Sequence, residues 1–324
     1  MNKNTAAADG LTGHLHPAAG DLLGKIRASG FPGWSAMSLD DARRLILQIK
    51  VFAGEPEAVA RVEHLRIPRG ESGEIQAGLY VPHSTVPIPV LVYMQGGGWS
   101  MGDYTGVDAI ARALANRSGC AVLSINYRLA PENKYPSALE DVCGAIRWVR
   151  ANGRERGLNV ERIGIGGDSS GANLAAAASL LCRDNGEPQL SFQLLVYPAL
   201  DHNYETESYR NFRDGSSSAL SREDVIWFHQ HYVNRPEELD LPYVSPLRAA
   251  SLAGMPPTYL VLAELDPLRD DGVAYASRLQ DAGVATEVTI YPGMFHGFWR
   301  MGGVLAQAQQ AIYDAALRIR RALT

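Results

Sequence analysis

Apolar positions along this chain first recur at helical spacing and then switch to strand-like runs. Leu22, Leu23 and Ile26, and later Leu45, Ile46, Ile49 and Val51, predict two amphipathic helices separated by the breaker Gly30-Phe31-Pro32-Gly33. Ser38 followed by Asp40 and Asp41 supplies a start signal for the second. From Val62 the period becomes two: segments 62–67 and 75–81 alternate, as half-buried antiparallel edge strands do. Five largely apolar runs follow at 90–94, 121–125, 163–167, 192–196 and 259–263, and a more polar one at 284–290. Strands this apolar are covered on both faces. Helical patterns at 109–116, 137–151, 171–182, 273–282 and 305–323 fall between or after them, which predicts right-handed crossovers and a mostly parallel sheet.

The expected fold is therefore α/β: eight strands, mostly parallel, the first two antiparallel, flanked by helices. Residues 1–55 read as an N-terminal tail with two helices, of which the first twenty are a loosely held lead. Residues 56–324 read as the main domain, interrupted at about 201–245 by a polar excursion with one helix near 221–233.

Composition narrows the chemistry. Of 324 residues, 46% are hydrophobic and 20% charged, which excludes a disordered chain, and a net charge of −5 offers no basic field for nucleic acid. Cys120, Cys143 and Cys182 are widely spaced inside apolar runs, so buried thiols in a reducing compartment are expected, and with them a cytoplasmic protein. The first residues lack an apolar signal core, and no run approaches a membrane span. Neither a metal motif nor a nucleotide loop is present, so no cofactor is expected.

The strand ends carry the chemistry. Gly167-Asp168-Ser169-Ser170-Gly171 follows an apolar strand and opens an Ala/Leu-rich helix, the context that lifts a serine hydroxyl out of a sheet. A serine needs a base to take its proton and a carboxylate to orient that base. Asp266 and His296 each lie just past a later strand, in the chain order Ser, Asp, His. Asp270 and Asp271 read as surface or helix-start residues, and the other seven histidines fall in the lead, the early strands or the excursion. Gln95-Gly96-Gly97-Gly98-Trp99 follows another apolar strand, and its glycines leave backbone N–H groups uncovered, as a tetrahedral oxyanion requires.

With these motifs, and with Tyr127-Arg128-Leu129-Ala130-Pro131-Glu132, Asp266-Pro267-Leu268-Arg269-Asp270 and His296-Gly297-Phe298, the chain resembles the hormone-sensitive-lipase-like branch of the α/β-hydrolase carboxylesterases from about residue 17 onward. The resemblance implies Ser169, Asp266 and His296 as the triad and the N–H groups of Gly97, Gly98 and Ser170 as the oxyanion hole. It implies a helical cap built from the N-terminal segment and the excursion, and small ester substrates with short or medium acyl chains or aryl alcohols. Dimers occur in this family, and the amphipathic last helix permits a homodimer. Two departures stand out: Gln95 replaces the usual histidine, and Ser170 a frequent alanine. Trp34, Met37, Trp99, Trp227, Phe228 and Phe298 are candidates for an apolar substrate pocket, each with cap-to-core packing as the alternative. An amidase or deacetylase acting on aryl amides, and a non-hydrolytic binding protein of the same fold, are the competing functions.

Overall fold

A computed structural model describes residues 13–69, 73–216 and 218–324. Its eight strands are β1 (Arg61–Pro68), β2 (Glu74–Val81), β3 (Ile88–Met94), β4 (Ala121–Ile125), β5 (Leu158–Asp168), β6 (Phe192–Val196), β7 (Thr258–Leu265) and β8 (Thr286–Phe295). They form one sheet in the order β1-β2-β4-β3-β5-β6-β7-β8. β2 is antiparallel to both its neighbours, and every pairing from β4 to β8 is parallel, so β2 alone runs against the others. The carboxyl ends of β5, β7 and β8 consequently open on one edge, where an open parallel sheet binds its ligands.

The central strands are buried residue for residue: all of β3, β4, β6 and β7 is enclosed. One face is covered by α4 (Ser137–Asn152), α5 (Ser170–Asp184) and α8 (Arg269–Asp281), the other by α3 (Asp108–Ser118) and α9 (Ala306–Leu323). Ala175 to Ala178 of α5 are fully buried, and their small side chains let the helix lie close against the strand it follows. In α9 the apolar stripe Ala308, Ile312, Ala316, Ile319 and Leu323 faces the core, while Arg320 and Arg321 sit in the last turn, at the negative end of the helix dipole.

α1 (Pro17–Ala28) and α2 (Leu39–Gln48) precede the sheet, and the excursion holds α6 (Glu207–Asn211) and α7 (Arg222–Tyr232). Several boundaries differ from the sequence reading. β8 continues past its polar half to Phe295, with an irregularity against β7 near Leu265, so His296 follows the strand directly. α2 ends at Gln48 and Ile49–Phe52 form a 3-10 turn. The excursion carries a short second helix and a 3-10 turn at Pro236–Asp240, with another just beyond it at Pro246–Arg248, segments too brief for periodicity to reveal.

The lead is less loose than expected where it is described, and residues 1–12 lie outside the described residues. The N–H of Gly13 donates to Glu264 Oε1 at 2.7 Å, Gly293 N–H donates to Glu264 Oε2 at 2.6 Å, and His16 N–H donates to the Gly293 carbonyl at 3.1 Å. One buried carboxylate thus pins Gly13, the first described residue, to the strand that leads to His296.

The two segments outside the sheet are also tied to each other. Ser221 and Asp224 form a reciprocal capping box at the start of α7, and Asp224 Oδ1 in addition accepts the N–H of Ser35 at 2.7 Å. Arg43 of α2 donates to the Ser100 carbonyl, the Ala130 carbonyl and both oxygens of Glu132 at 2.6 to 3.0 Å. That guanidinium holds the Glu132 carboxyl down to about 2.

Candidate active site

β5 ends at Asp168 and α5 begins at Ser170, which leaves Ser169 alone to make the turn. Its φ of 56° and ψ of −122° lie outside the regions a side-chain-bearing residue prefers, and its N–H is anchored to the Val196 carbonyl at 2.8 Å. The turn closes only because its flanks are small: a Cβ on Gly171 would stand 2.1 Å from the Met94 carbonyl oxygen.

His296 Nε2 lies 3.0 Å from Ser169 Oγ, and its Nδ1 lies 2.7 Å from Asp266 Oδ2. Asp266 is fully buried, and its second oxygen accepts the N–H of Leu268 at 2.8 Å. A carboxylate in that position fixes the ring with its proton on Nδ1 and leaves Nε2 as the acceptor facing the serine. The other two carboxylates after β7 do not approach this line. Asp270 accepts the N–H of Ser208 at 2.8 Å. Asp271 stands in the first turn of α8, as a helix-start residue, but not at the surface: it is buried and accepts from the N–H groups of Leu200 and Asp201, and burial pushes its carboxyl well above the usual range.

Across from Ser169 runs the glycine loop after β3. Gly97 and Gly98 adopt φ of 133° and 57°, and added Cβ atoms would lie 2.3 Å from the Met101 oxygen and 2.0 Å from the Phe228 ring. Among the described residues, no hydrogen bond takes up the N–H of Gly97, Gly98 or Ser170. Gly96 is different, since its N–H donates to Asp168 Oδ1 and its carbonyl accepts from Arg300 Nη2, both at 3.1 Å. Gln95 is 1% exposed, and neither atom of its side-chain amide has a partner, while its carbonyl accepts from the Tyr127 hydroxyl at 2.8 Å.

Trp99, also at positive φ, is held by three contacts. Its indole N–H donates to Asn173 Oδ1 at 3.2 Å, its ring stacks on Tyr232 at 4.4 Å, and it meets the buried His229 at 5.2 Å. Asn173 in turn donates to the Ala199 and Val244 carbonyls at 2.8 Å each. α7 therefore braces the glycine loop from outside the sheet.

Ser169 and His296 open into a cavity of about 580 Å³, a size that suits a small organic ligand. Its walls are largely apolar: Leu22 and Ile26 of α1, Leu45 and Ile46 of α2, Phe52, Val225 and Met301. Trp34, Met37, Trp99 and Phe228 line it. Trp227 and Phe298 do not. Trp227 packs edge-on to Phe228 and His231 on the other side of α7, and Phe298 is turned into the core against Tyr197 and Tyr291. Tyr197 lines the cavity beside His296, ring centroids 4.6 Å apart, with its hydroxyl buried and unpartnered. The sequence reading gave Tyr197, Asn173 and Arg300 no role at the site. Asn173 left a signal as the end of the motif Gly167-Asp168-Ser169-Ser170-Gly171-Ala172-Asn173, and Arg300 as a cation among the apolar residues of Phe298-Trp299-Arg300-Met301. No group of three metal-ligating side chains occurs among the described residues.

A family model described as the α/β hydrolase fold matches residues 91–300. The carboxylic ester hydrolase LipN of Mycobacterium tuberculosis is 37% identical over 80% of this chain and 71% of its own length. The chain belongs to the hormone-sensitive-lipase-like family of α/β-hydrolases. An arylesterase of Saccharolobus solfataricus is 32% identical over 94% of this chain and 97% of its own. The solved hyperthermophilic esterase from Pyrobaculum calidifontis superposes with a TM-score of 0.90 at 34% identity, covering 95% of this chain and 98% of that one. This family membership accounts for the eight-stranded sheet, the Ser-Asp-His chain order and the strand-end positions of all three residues. No described helix is long and apolar enough to cross a membrane.

Proposed function

We propose that this chain is a serine carboxylesterase that hydrolyses short- to medium-chain or aryl esters through an acyl-enzyme. Ser169 Oγ attacks the ester carbonyl carbon while His296 Nε2 takes its proton; the carbonyl electrons move onto oxygen, where the N–H groups of Gly97, Gly98 and Ser170 receive the charge. Collapse expels the alcohol, protonated from Nε2, and leaves the acyl group on Ser169. Water then attacks, giving its proton to the same nitrogen, and the second tetrahedral intermediate collapses as Nε2 returns that proton to Ser169 Oγ and the carboxylic acid departs. Asp266 keeps the ring oriented and stabilises its cation. Removal of one oxyanion donor typically costs ~2.7–4 kcal/mol of barrier, so a loop with two uncovered glycine amides is a large part of the rate.

The observation that carries this reading is the pair of contacts on one imidazole, 3.0 Å to Ser169 and 2.7 Å to Asp266, facing an apolar cavity. The relatives named carboxylic ester hydrolase and arylesterase support the substrate class. In the same reading, residues 17–55 and the excursion at 201–245 act as a cap over the cavity. Three buried free thiols support a cytoplasmic location, and a homodimer would use the outer side of α9, where Tyr313 is 48% exposed.

Purified protein is expected to turn over p-nitrophenyl butyrate, and Ser169→Ala to abolish it. Turnover that survives Ser169→Ala overturns the assignment. A wild-type protein that binds the ester without turnover favours the binding-protein reading, and a preference for p-nitroanilides over esters favours an amidase.

A further inference from the structure

Asp168 and Arg300 form a buried ion pair, 2% and 10% exposed, directly behind the reacting groups. Neither takes part in the proton transfers above. Arg300 Nε donates to Asp168 Oδ2 at 2.8 Å and its Nη2 to Oδ1 at 3.2 Å. Oδ1 also accepts the Tyr93 hydroxyl at 2.9 Å, and Tyr93 in turn accepts the indole N–H of Trp299 at 3.0 Å. The remaining contacts of the pair go to one peptide unit on each side of Gly96. Asp168 Oδ1 accepts the Gly96 N–H, and Arg300 Nη2 donates to the Gly96 carbonyl, both at 3.1 Å.

From this geometry we propose that the Asp168–Arg300 pair is a positioning device for the oxyanion loop, gripping Gly96 at both its N–H and its carbonyl so that the amides of Gly97 and Gly98 stay aimed at Ser169. Three chain segments meet in the grip. Asp168 immediately precedes Ser169, Gly96 immediately precedes Gly97, and Arg300 lies four residues beyond His296. Nucleophile, oxyanion amides and base are thereby indexed to one another by a single charged pair.

A buried ion pair is poor value as a stabiliser, because desolvation of two charges offsets most of their attraction and an apolar replacement is often as stable. Its use lies in geometry. Glycine-rich backbone has many conformations of similar energy, and Gly97 and Gly98 have no side chains with which to hold themselves. Fixing the preceding peptide at both ends removes the rotation that would swing the following amides away. The planar guanidinium fork reaches the carboxylate and the carbonyl together; a lysine ammonium reaches one of them as a point charge. Arg300 also borders the cavity, so its place is accessible to a small solute.

The inference rests on the esterase reading, and its test starts from a wild-type enzyme whose turnover requires Ser169. Arg300→Lys and Asp168→Asn are assayed with p-nitrophenyl butyrate, with rates normalised to serines titrated to completion by a fluorophosphonate, so that a poorly folding variant still reports on its folded fraction. We expect kcat per titrated serine to fall about tenfold or more, part of what a lost oxyanion donor costs, with KM within about twofold. The affinity for a trifluoromethyl ketone, which forms a charged hemiketal on the serine, should fall in the same proportion as kcat/KM. In Arg300→Ala, added guanidinium should restore part of the rate and ethylammonium should not. An unchanged kcat per titrated serine, or a lowered kcat with unchanged affinity for the trifluoromethyl ketone, overturns the positioning role while leaving the esterase assignment standing.

Discussion

Asp266 Oδ2 stands 2.7 Å from His296 Nδ1 while Oδ1 accepts the N–H of Leu268 at 2.8 Å, so the fully buried carboxylate has one oxygen tied to its own turn and the other to the imidazole. Asp266→Asn keeps that shape but can present an N–H to Nδ1, which favours the tautomer that carries its proton on Nε2, where the base must accept. A fall in kcat of about 10³–10⁴-fold is expected, with the unfolding midpoint little changed. Steady-state kinetics beside a thermal melt separate the two; a variant within tenfold of wild type would remove Asp266 from the relay.

The approach of α7 to the glycine loop makes Gly98 intolerant of substitution. A methyl there would sit 2.0 Å from the Phe228 ring on a backbone at φ 57°. Gly98→Ala should lower kcat by about 10²-fold through a displaced oxyanion amide. Adding Phe228→Ala should recover part of the loss, because the ring clash goes and only the φ strain stays. Failure of the double variant to recover any activity would mean that Phe228 does not hold the loop.

What the sequence made legible was whatever depends on local pattern. The apolar runs 90–94, 121–125 and 259–263 appear as strands because strands enclosed on both faces permit almost nothing polar. Ser169 was readable because it follows such a run between the two glycines of Gly167-Asp168-Ser169-Ser170-Gly171, and His296 because it lies past the last, more polar run, next to Gly297. The grip on Gly96 was not, since Asp168 and Arg300 are 132 residues apart and nothing in either neighbourhood announces the other. Phe298 looked like a pocket residue from its motif, yet the 3-10 turn Phe298–Arg300 rotates it into the core and leaves Arg300 at the cavity. The burial of Asp271 was hidden for the same reason: its partners, the N–H groups of Leu200 and Asp201, come from a different strand end.

Burial of His229 gives the fold an acid-sensitive point. Desolvation, with a smaller contribution from His202, pushes its imidazole down to about 3, and its Nδ1 meets the Tyr204 hydroxyl at 2.7 Å. Between about pH 6.5 and 3 the unfolded chain binds a proton that the folded chain refuses, so stability falls as pH drops through that window, by up to about 1.4 kcal/mol per unit. Above pH 6.5 this residue contributes no pH dependence. Urea unfolding of wild type and His229→Gln at pH 7 and pH 5 checks it: the difference between the two pH values should be smaller in the variant. An equal difference would place the acid sensitivity elsewhere.

Gln95 buries an amide with no partner for either polar atom. Such groups cost about 1–3 kcal/mol each, so Gln95→Met, similar in shape and apolar, should raise the unfolding free energy by about 1 kcal/mol. If the side chain only supports the loop, kcat on butyrate and hexanoate esters stays within about twofold, and Gln95→His behaves alike. A destabilised Gln95→Met would show that the amide makes a contact worth keeping.

The central claim is that hydrolysis passes through an ester on Ser169. Rapid acid quench of the enzyme with p-nitrophenyl butyrate, followed by proteolysis and mass spectrometry, tests it at the bond itself. A butyryl group is predicted on Ser169 within the first turnover, decaying as free butyrate appears, and absent when Ser169→Ala is treated alike. Burst release of p-nitrophenol with the acyl group found on another residue, or on none, would contradict the account.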